Sequence, residues 1–553
     1  MKIVLIRPNT IVPKEFLAYG GMPTPAAGLA YISSSLTAAG HATVVIDATG
    51  EALGSYQKIG EFNMVVIGLT VEEIISRIPA DVELIGLSCM FSSEWFYDAQ
   101  LIQRIKTRFR NIPIVIGGEH VTADWKNIFE VCPSVDFCVR GEGEETIVEL
   151  AEALQQNQTV EGIAGIAFRN SEGVVVATPS RKRLKKLDEL PWPAWDQMPL
   201  QGYLDAGYSF MMQNRRTMPI VTTRGCPFSC SFCSAPQMWG SELSYRSPQD
   251  VVAEIKHYYE KYKIEHVDFL DIVGVINPAW TKELLEALIA ADLPVTWIFP
   301  AGTRSEILDE ATLKLCKESK VARLIYAPES GSKKTIKRIK KRFEPDKMLR
   351  SMKMANKLGI KLRAPLIFGF PEQTLYEVWE SVLFGFKMIW VGVDDVVVYI
   401  FGAYPGSQFY KELVASKQID EQKMLADGTY NEYLKRAVVA GIWNQESWSE
   451  FIPAWSLGWL RIGTMLINQM LRILLRPWRL PMSIYRGLIL KKPISIMDQQ
   501  AYIRTQALPY PYDYASLSES DYISLRARQE FAPRRMVLNS KGFEGLTKIR
   551  SKA

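Results

Sequence analysis

Short runs of β-branched and apolar residues, each followed by a polar or glycine-rich corner and a helix-like stretch, recur along most of this 553-residue chain. That alternation restricts the fold to parallel α/β architectures, because consecutive parallel strands need a crossover and a helix supplies it. In residues 1–157 the candidate strands are Lys2 to Ile6, Thr43 to Ile46, Met64 to Ile67, Leu84 to Ser88, Ile114 to Ile116 and Phe137 to Arg140. They predict a doubly wound, Rossmann-like sheet with ligand corners at the carboxyl ends of its strands. After Met218 six further strand-then-helix units follow: Ile220 to Thr223, His266 to Leu270, Val295 to Phe299, Arg323 to Tyr326, Lys361 to Ile367 and Asp395 to Ile400. These predict a partial (β/α)6 barrel over residues 213–415, with its chemistry at the strand ends. Residues 158–212 read as a hairpin turning at Asn170-Ser171 and a Pro191-Trp192-Pro193-Ala194-Trp195 linker whose tryptophans pack against the barrel. Residues 416–553 read as a mainly helical region.

The first barrel strand runs into Thr222-Thr223-Arg224-Gly225-Cys226-Pro227-Phe228-Ser229-Cys230-Ser231-Phe232-Cys233. Three thiolates from one tight loop can hold three irons of a 4Fe-4S cube and leave the fourth iron open to another ligand. Structural zinc is the other reading of such a loop, but it calls for four ligands, and no second cysteine or histidine pair lies nearby. The other cysteines, Cys89, Cys132, Cys138 and Cys316, are scattered and form no secreted disulfide framework. A reducing cytoplasm is the expectation, and the N-terminus reads as a buried strand and not as an export signal.

Composition fits a large enzyme. Hydrophobic residues make up 48% and charged residues 23%, ordinary values for a globular chain. A net charge of +5 over this length leaves no nucleic-acid footprint.

The cysteine spacing, with an aromatic just before the third thiol, resembles the signature of the radical S-adenosylmethionine superfamily. The open iron of that family chelates the amino and carboxylate groups of S-adenosylmethionine, and reduction cleaves the sulfonium to methionine and a 5′-deoxyadenosyl radical. Upstream, Gly117-Gly118-Glu119-His120 is followed about twenty residues later by Asp136 and by Gly141-Glu142-Gly143-Glu144. That combination resembles the N-terminal domain of the cobalamin-dependent members of the superfamily, and the likeness extends over roughly residues 1–415. It implies that Ser88, the Gly117 to His120 corner and the Gly141 to Glu144 loop surround the nucleotide tail and corrin edge of cobalamin. The chain lacks Asp-x-His-x-x-Gly, the motif whose histidine serves as lower cobalt ligand in cobalamin-dependent mutases. His120 reads as a hydrogen-bonding residue that fixes its loop or meets a phosphate, with metal ligation the alternative; His41, His257 and His266 read as structural.

The strand ends of the barrel supply groups suited to a zwitterionic sulfonium nucleoside. Phe232 is expected to present its backbone to the adenine, Asp271 to accept from the methionine ammonium, Arg304 to pair with the carboxylate, and Glu329 to bond ribose hydroxyls or the ammonium. Glu329-Ser330-Gly331-Ser332 and the Gly369-Phe370-Pro371-Glu372 turn follow the same family order, and the resemblance implies that Gly369 contacts the cofactor. Where relatives carry two acids after the second strand, this chain has Asp271-Ile272.

Ser456 to Leu475 is long and apolar, with Arg461, Thr464, Asn468, Gln469, Arg472 and Arg476 recurring at helical spacing. It reads as an amphipathic helix covering the open side of the barrel. The alternative is an interfacial helix, given Trp459, Trp478 and the arginines, that brings the enzyme to a lipid or other greasy substrate through a peripheral membrane contact.

The resemblance implies a methyltransferase acting on an unactivated carbon of a small-molecule or lipid-like substrate. It also implies a flavodoxin or ferredoxin as electron donor. The second reading resembles the anaerobic magnesium-protoporphyrin monomethyl ester oxidative cyclase, which uses the same cofactors without methylating. A third, of another class, is a non-catalytic cobalamin-binding sensor or carrier.

Overall fold

The computed structural model describes residues 1–13, 23–59, 64–210, 215–304, 308–439 and 446–477. In the first region β1 (Lys2–Arg7) precedes a short β2 (Thr10–Pro13), helix α1 (Ala27–Ala38) and β3 (Ala42–Asp47). Next come β4 (Tyr56–Ile59), β5 (Met64–Ile67), α2 (Val71–Arg77), β6 (Leu84–Ser88) and α3 (Trp95–Arg108). Then follow β7 (Ile114–Gly117), α4 (Glu119–Val131), β8 (Phe137–Val139) and α5 (Glu144–Gln155). Five of these strands form a parallel sheet in the order β8-β7-β6-β1-β3. Its cores lie on both faces: Val4 and Ile6 join one cluster while Ile3 and Leu5 join the other. Burial on both sides is why these strands read as unbroken apolar runs.

In chain order the sheet runs second, first, third, fourth, fifth strand, so the winding reverses between β1 and β6. Ligands of such sheets bind in the crevice outside the carboxyl ends of the strands at that reversal.

One sequence expectation is corrected here. Met64–Ile67 is absent from the parallel sheet and forms the middle of a separate antiparallel sheet, β2-β5-β4. All four of its residues are buried, and a short apolar run does not distinguish the two settings. The hairpin read from residues 166–176 forms as β9 (Ile166–Arg169) and β10 (Val175–Ala177). β9 pairs antiparallel with β8 and extends the first sheet by two strands. The Pro-Trp segment behind it does bridge elements: Trp195 is buried in the barrel core, and Trp192 Nε1 donates to Asp250 Oδ1 at 3.1 Å.

After α6 (Leu200–Ala206) the barrel begins with β11 (Thr217–Ile220), three residues earlier than the apolar run suggested, and β12 (Thr223–Arg224). Next are α7 (Ala235–Trp239), β13 (Ser244–Tyr245), α8 (Pro248–Tyr262), β14 (His266–Phe269), α9 (Pro278–Ala291) and β15 (Thr296–Ile298). They are followed by α10 (Glu310–Glu318), β16 (Leu324–Ile325), α11 (Lys333–Arg338), α12 (Pro345–Lys357) and β17 (Leu362–Phe368). The last barrel units are α13 (Leu375–Val391) and β18 (Asp395–Ile400). Parallel sheets β11-β14-β15 and β16-β17-β18 meet through the bridges Trp297 to Val321 and Thr303 to Tyr326. The helices start where their sequences say: Thr374 and Glu377 form a reciprocal capping box on α13, and Ser247 caps α8 with Pro248 at the first turn.

The chain then adds α14 (Gln408–Ala415), α15 (Glu421–Ala426), α16 (Tyr430–Val439) and α17 (Ala454–Leu475). The described part of residues 416–553 has no separate core. Tyr430 and Leu434 join a core of the first domain, and Ile452 and Leu457 join the barrel core. Helix α17 lies against β18 and α13, and Trp478 falls outside the described residues. Among the described residues no helix is long and apolar enough to cross a membrane.

Candidate active site

The three thiols lie between β12 and α7, half-buried. Their loop is fixed by backbone: Ser231 N donates to Ile339 O at 3.1 Å, Phe409 N to Ser231 O at 2.9 Å and Cys233 N to Cys230 O at 3.1 Å. Gly225, at φ +104, brings the chain against the Glu242 carbonyl, where a side chain would collide. Burial raises the Cys230 thiol and pushes Cys233 up to about 12. The protein alone therefore keeps these sulfurs protonated, and a coordinated metal supplies the charge that ionises them.

The loop forms one wall of an open cavity of about 730 Å³, its mouth included. Cys226, Cys230, Cys233, Phe232, Arg304 and Glu329, all expected at the site, line it together. Phe228 and Lys341 line it too and were not foreseen. Arg304 stacks 3.9 Å from the Phe228 ring centre. Lys341 Nζ donates to Glu329 Oε1 at 2.9 Å, both side chains largely buried. Burial depresses the Lys341 ammonium, but Glu329 and then Cys230 outweigh it and hold the group above its ordinary value. Glu329 also carries a positive φ of 61°, an uncommon backbone for a non-glycine residue that concentrates at ligand sites. Lys341 is one of several basic residues between Lys333 and Arg342, and composition alone does not reveal which of them turns inward.

Two expected contacts are corrected. Both Asp271 oxygens are engaged by the protein, Oδ1 accepting from Thr222 N at 2.8 Å and Thr223 N at 3.1 Å, Oδ2 from both threonine hydroxyls. This carboxylate shapes the turn into the cluster loop and has no oxygen left for an ammonium. Gly369 N donates to Gln373 Oε1 at 2.8 Å, and the space its side chain would fill is held by Leu457 of α17, at 3.2 Å. Its glycine serves packing of the last helix.

At the carboxyl ends of the first sheet, Ser88 pairs with Gly117. Gly118, at φ +128, admits no side chain because the Cys89 carbonyl lies there. Gly117 leaves its strand end bare, and Met90 and Phe91 beside it are exposed. Exposed apolar side chains after β6, at the winding reversal, and bare backbone at the end of the neighbouring β7 fit the flat, largely apolar edge of a corrin.

The acids expected around that cofactor have other partners. Glu142 Oε1 accepts from Arg224 at 3.2 Å and Oε2 from Arg183 at 2.7 Å, and Glu144 Oε1 accepts from Arg224 at 2.6 Å. Glu119 accepts from the Ser234 hydroxyl. Gly141 N donates to Thr122 Oγ1 at 2.9 Å, and Gly143 precedes α5 as its N-cap. The Gly141 to Glu144 loop thus clamps the first domain to the cluster loop, and it does so through carboxylates that a cofactor would otherwise meet.

His120 is 1% exposed. Its Nδ1 lies 3.0 Å from Ser92 Oγ and its ring 5.2 Å from that of Trp95, and burial lowers it to about 3. Because its folded pKa lies below the unfolded value, His120 contributes stability above about pH 6.5 that is lost as pH falls toward 3. Chemical denaturation at a series of pH values should show a decline of about 1.4 kcal/mol per pH unit from this residue in that window. The decline should be absent in His120→Gln, whose bound cobalamin should keep the absorption spectrum of the native protein.

The description "Radical SAM superfamily" matches residues 220–385, and "B12 binding domain" matches residues 16–151. An uncharacterized methyltransferase, PH0819, of Pyrococcus horikoshii is 28% identical over 418 residues, 75% of this chain and 84% of the relative. The cytidylyl-2-hydroxyethylphosphonate methyltransferase of Streptomyces wedmorensis is 25% identical over 81% of this chain and 88% of its own length. The anaerobic magnesium-protoporphyrin IX monomethyl ester cyclase of Rubrivivax gelatinosus is 26% identical over 75% and 70%. Among solved structures, the radical S-adenosylmethionine methyltransferase TsrM of Kitasatospora setae, with cobalamin and a 4Fe-4S cluster bound, superposes with a TM-score of 0.59. It is 16% identical and the match covers 75% of this chain and 78% of that one, a likeness of fold. The two matched domains, in this order and around this cysteine loop, make the chain an enzyme of the cobalamin-dependent radical S-adenosylmethionine family. Its cofactors are a 4Fe-4S cluster, S-adenosylmethionine and cobalamin.

Proposed function

We propose that this enzyme transfers a methyl group to an unactivated carbon of a small-molecule or lipid-like substrate. When bound, the cluster supplies the electron that cleaves S-adenosylmethionine and the cobalamin carries the methyl group. The observation that carries the reading is the clamp of Arg224, two residues before Cys226, onto Glu142 and Glu144. It ties the corner after β8 to the cluster loop, and methyl delivery to a short-lived substrate radical needs both cofactors held within reach of one carbon. Cys226, Cys230 and Cys233 hold the cluster. Arg304, Glu329 and Lys341 face the nucleoside in the cavity, and the bare Gly117-Gly118 corner backs the corrin. A reduced flavodoxin or ferredoxin is the electron donor of this reading, and a peripheral membrane contact through α17 completes it.

The likeness to the oxidative cyclase supports a second reading, hydrogen removal without methylation. Reduced, reconstituted enzyme should consume S-adenosylmethionine in the presence of substrate and release 5′-deoxyadenosine and S-adenosylhomocysteine in equal amounts. 5′-Deoxyadenosine alone favours the cyclase-like reaction, and neither product favours a carrier.

A further inference from the structure

Helix α17 turns polar side chains inward together with Leu457 and leaves a long apolar stripe outside. Its polar positions at four-residue steps, Thr464, Asn468, Arg472 and Arg476, face the protein: Arg472 Nη1 donates to Asp394 O at 2.9 Å and Arg476 Nη2 to Ile389 O at 3.1 Å. The opposite stripe of Trp455, Trp459, Leu466, Met470 and Leu474 faces out, Trp455 at 71% and Leu474 at 70% exposure. A surface helix of a globular protein buries its apolar stripe. Here the buried Asn468 amide has hydrogen-bond partners for neither its oxygen nor its nitrogen, a cost to folding that the outward turn of the apolar side incurs.

The neighbouring α13 repeats the pattern. Tyr376, Trp379, Leu383 and Trp390 lie three or four residues, or a multiple of such steps, apart and are exposed, Trp390 at 74%. The two helices pack side by side, so their stripes make one aromatic-rich face. No exposed residue of either helix is acidic, and Lys387 is exposed on α13. In the sequence, residues 451–497 hold no Asp or Glu and, besides the inward-turned Arg472 and Arg476, five Lys and Arg.

We propose that this two-helix face docks on the surface of a bilayer carrying anionic headgroups. Tryptophan and leucine stripes enter the headgroup boundary of such a surface while neighbouring cations meet its charge. Neither helix is long and apolar enough to cross the bilayer, so the contact is one of lying on it. The inference sharpens the peripheral contact of the proposed function and is independent of the methyl-transfer reading, because it is tested without turnover.

Full-length protein should sediment with phosphatidylcholine vesicles containing phosphatidylglycerol, less with phosphatidylcholine alone, and less at high salt. The pairs Trp379→Glu with Leu383→Glu, and Leu466→Glu with Met470→Glu, should each weaken binding about tenfold or more. Because all four positions are exposed, each variant should keep the 5′-deoxyadenosine formation of the native enzyme. Absence of native binding to either vesicle, or undiminished binding by the variants, overturns the proposal. So does a native dimer that these variants dissolve, which assigns the face to a second copy of the chain.

Discussion

Alanine at all three of Cys226, Cys230 and Cys233 will leave the chain without iron after anaerobic reconstitution, against about four irons per native chain. Formation of 5′-deoxyadenosine will fall to background. The loop itself should survive, because its backbone is held through Ser231, Cys230 and Phe409 and not through the sulfurs. No other thiol can take over: Cys89, Cys132, Cys138 and Cys316 are buried in apolar cores. Because burial raises Cys230 and Cys233, iron must displace protons from them, and assembly in the native chain should improve as pH rises. Iron titration of the reconstituted native and triple-alanine chains, with the native assembly repeated across pH, checks both statements. Cluster retained in the triple variant would remove the basis of the site.

Arg224→Ala should be among the most destabilising single changes, by about 3–5 kcal/mol, since it leaves buried carboxylates without their cation. Arg224, Glu142 and Glu144 are each no more than 6% exposed, and the guanidinium also lies 5.2 Å from the Tyr31 ring and 5.9 Å from that of Trp239. Arg183 still holds Glu142 in the variant, so Glu144 carries most of the effect. Burial pushes the Glu144 carboxyl up, but Arg224 outweighs it and the group lies below its ordinary value. A depressed carboxyl contributes stability above its unfolded pKa, and that contribution fades as pH falls through the folded one. In Arg224→Ala only the backbone hydrogen bonds of Gly143 and Glu144 still oppose burial, the carboxyl is expected to rise, and acidification through its titration range relieves the penalty. Urea denaturation of both proteins at neutral and mildly acidic pH should therefore show their difference shrinking toward acid. A constant difference would mean that Glu144 takes no part in the clamp.

Elements that need burial on both sides were legible from sequence. β1 is an unbroken apolar run because Ile3 and Leu5 serve one core and Val4 and Ile6 the other. The same logic misplaces Met64–Ile67, an equally apolar run in a different sheet. Strand-end position brought Arg304 and Glu329 to the cavity, yet position does not report whether a carboxylate is already bonded, and Asp271 is, four times over. Lys341 was hidden in a basic stretch, and only the return of that stretch past Glu329 picks it out. For α17 the helical period was readable and its rotation was not. Periodicity defines two faces, but which one turns inward depends on the carbonyls of Asp394 and Ile389 that wait for Arg472 and Arg476.

In the proposed reaction the enzyme moves a methyl group by joining its two cofactor sites. Its most direct test is turnover with S-adenosylmethionine deuterated in the methyl group, followed by mass analysis of the substrate. The product should be heavier by a labelled methyl group and form together with S-adenosylhomocysteine and 5′-deoxyadenosine. Substrate-dependent 5′-deoxyadenosine with an oxidised, unlabelled product and no S-adenosylhomocysteine above background would contradict methyl transfer.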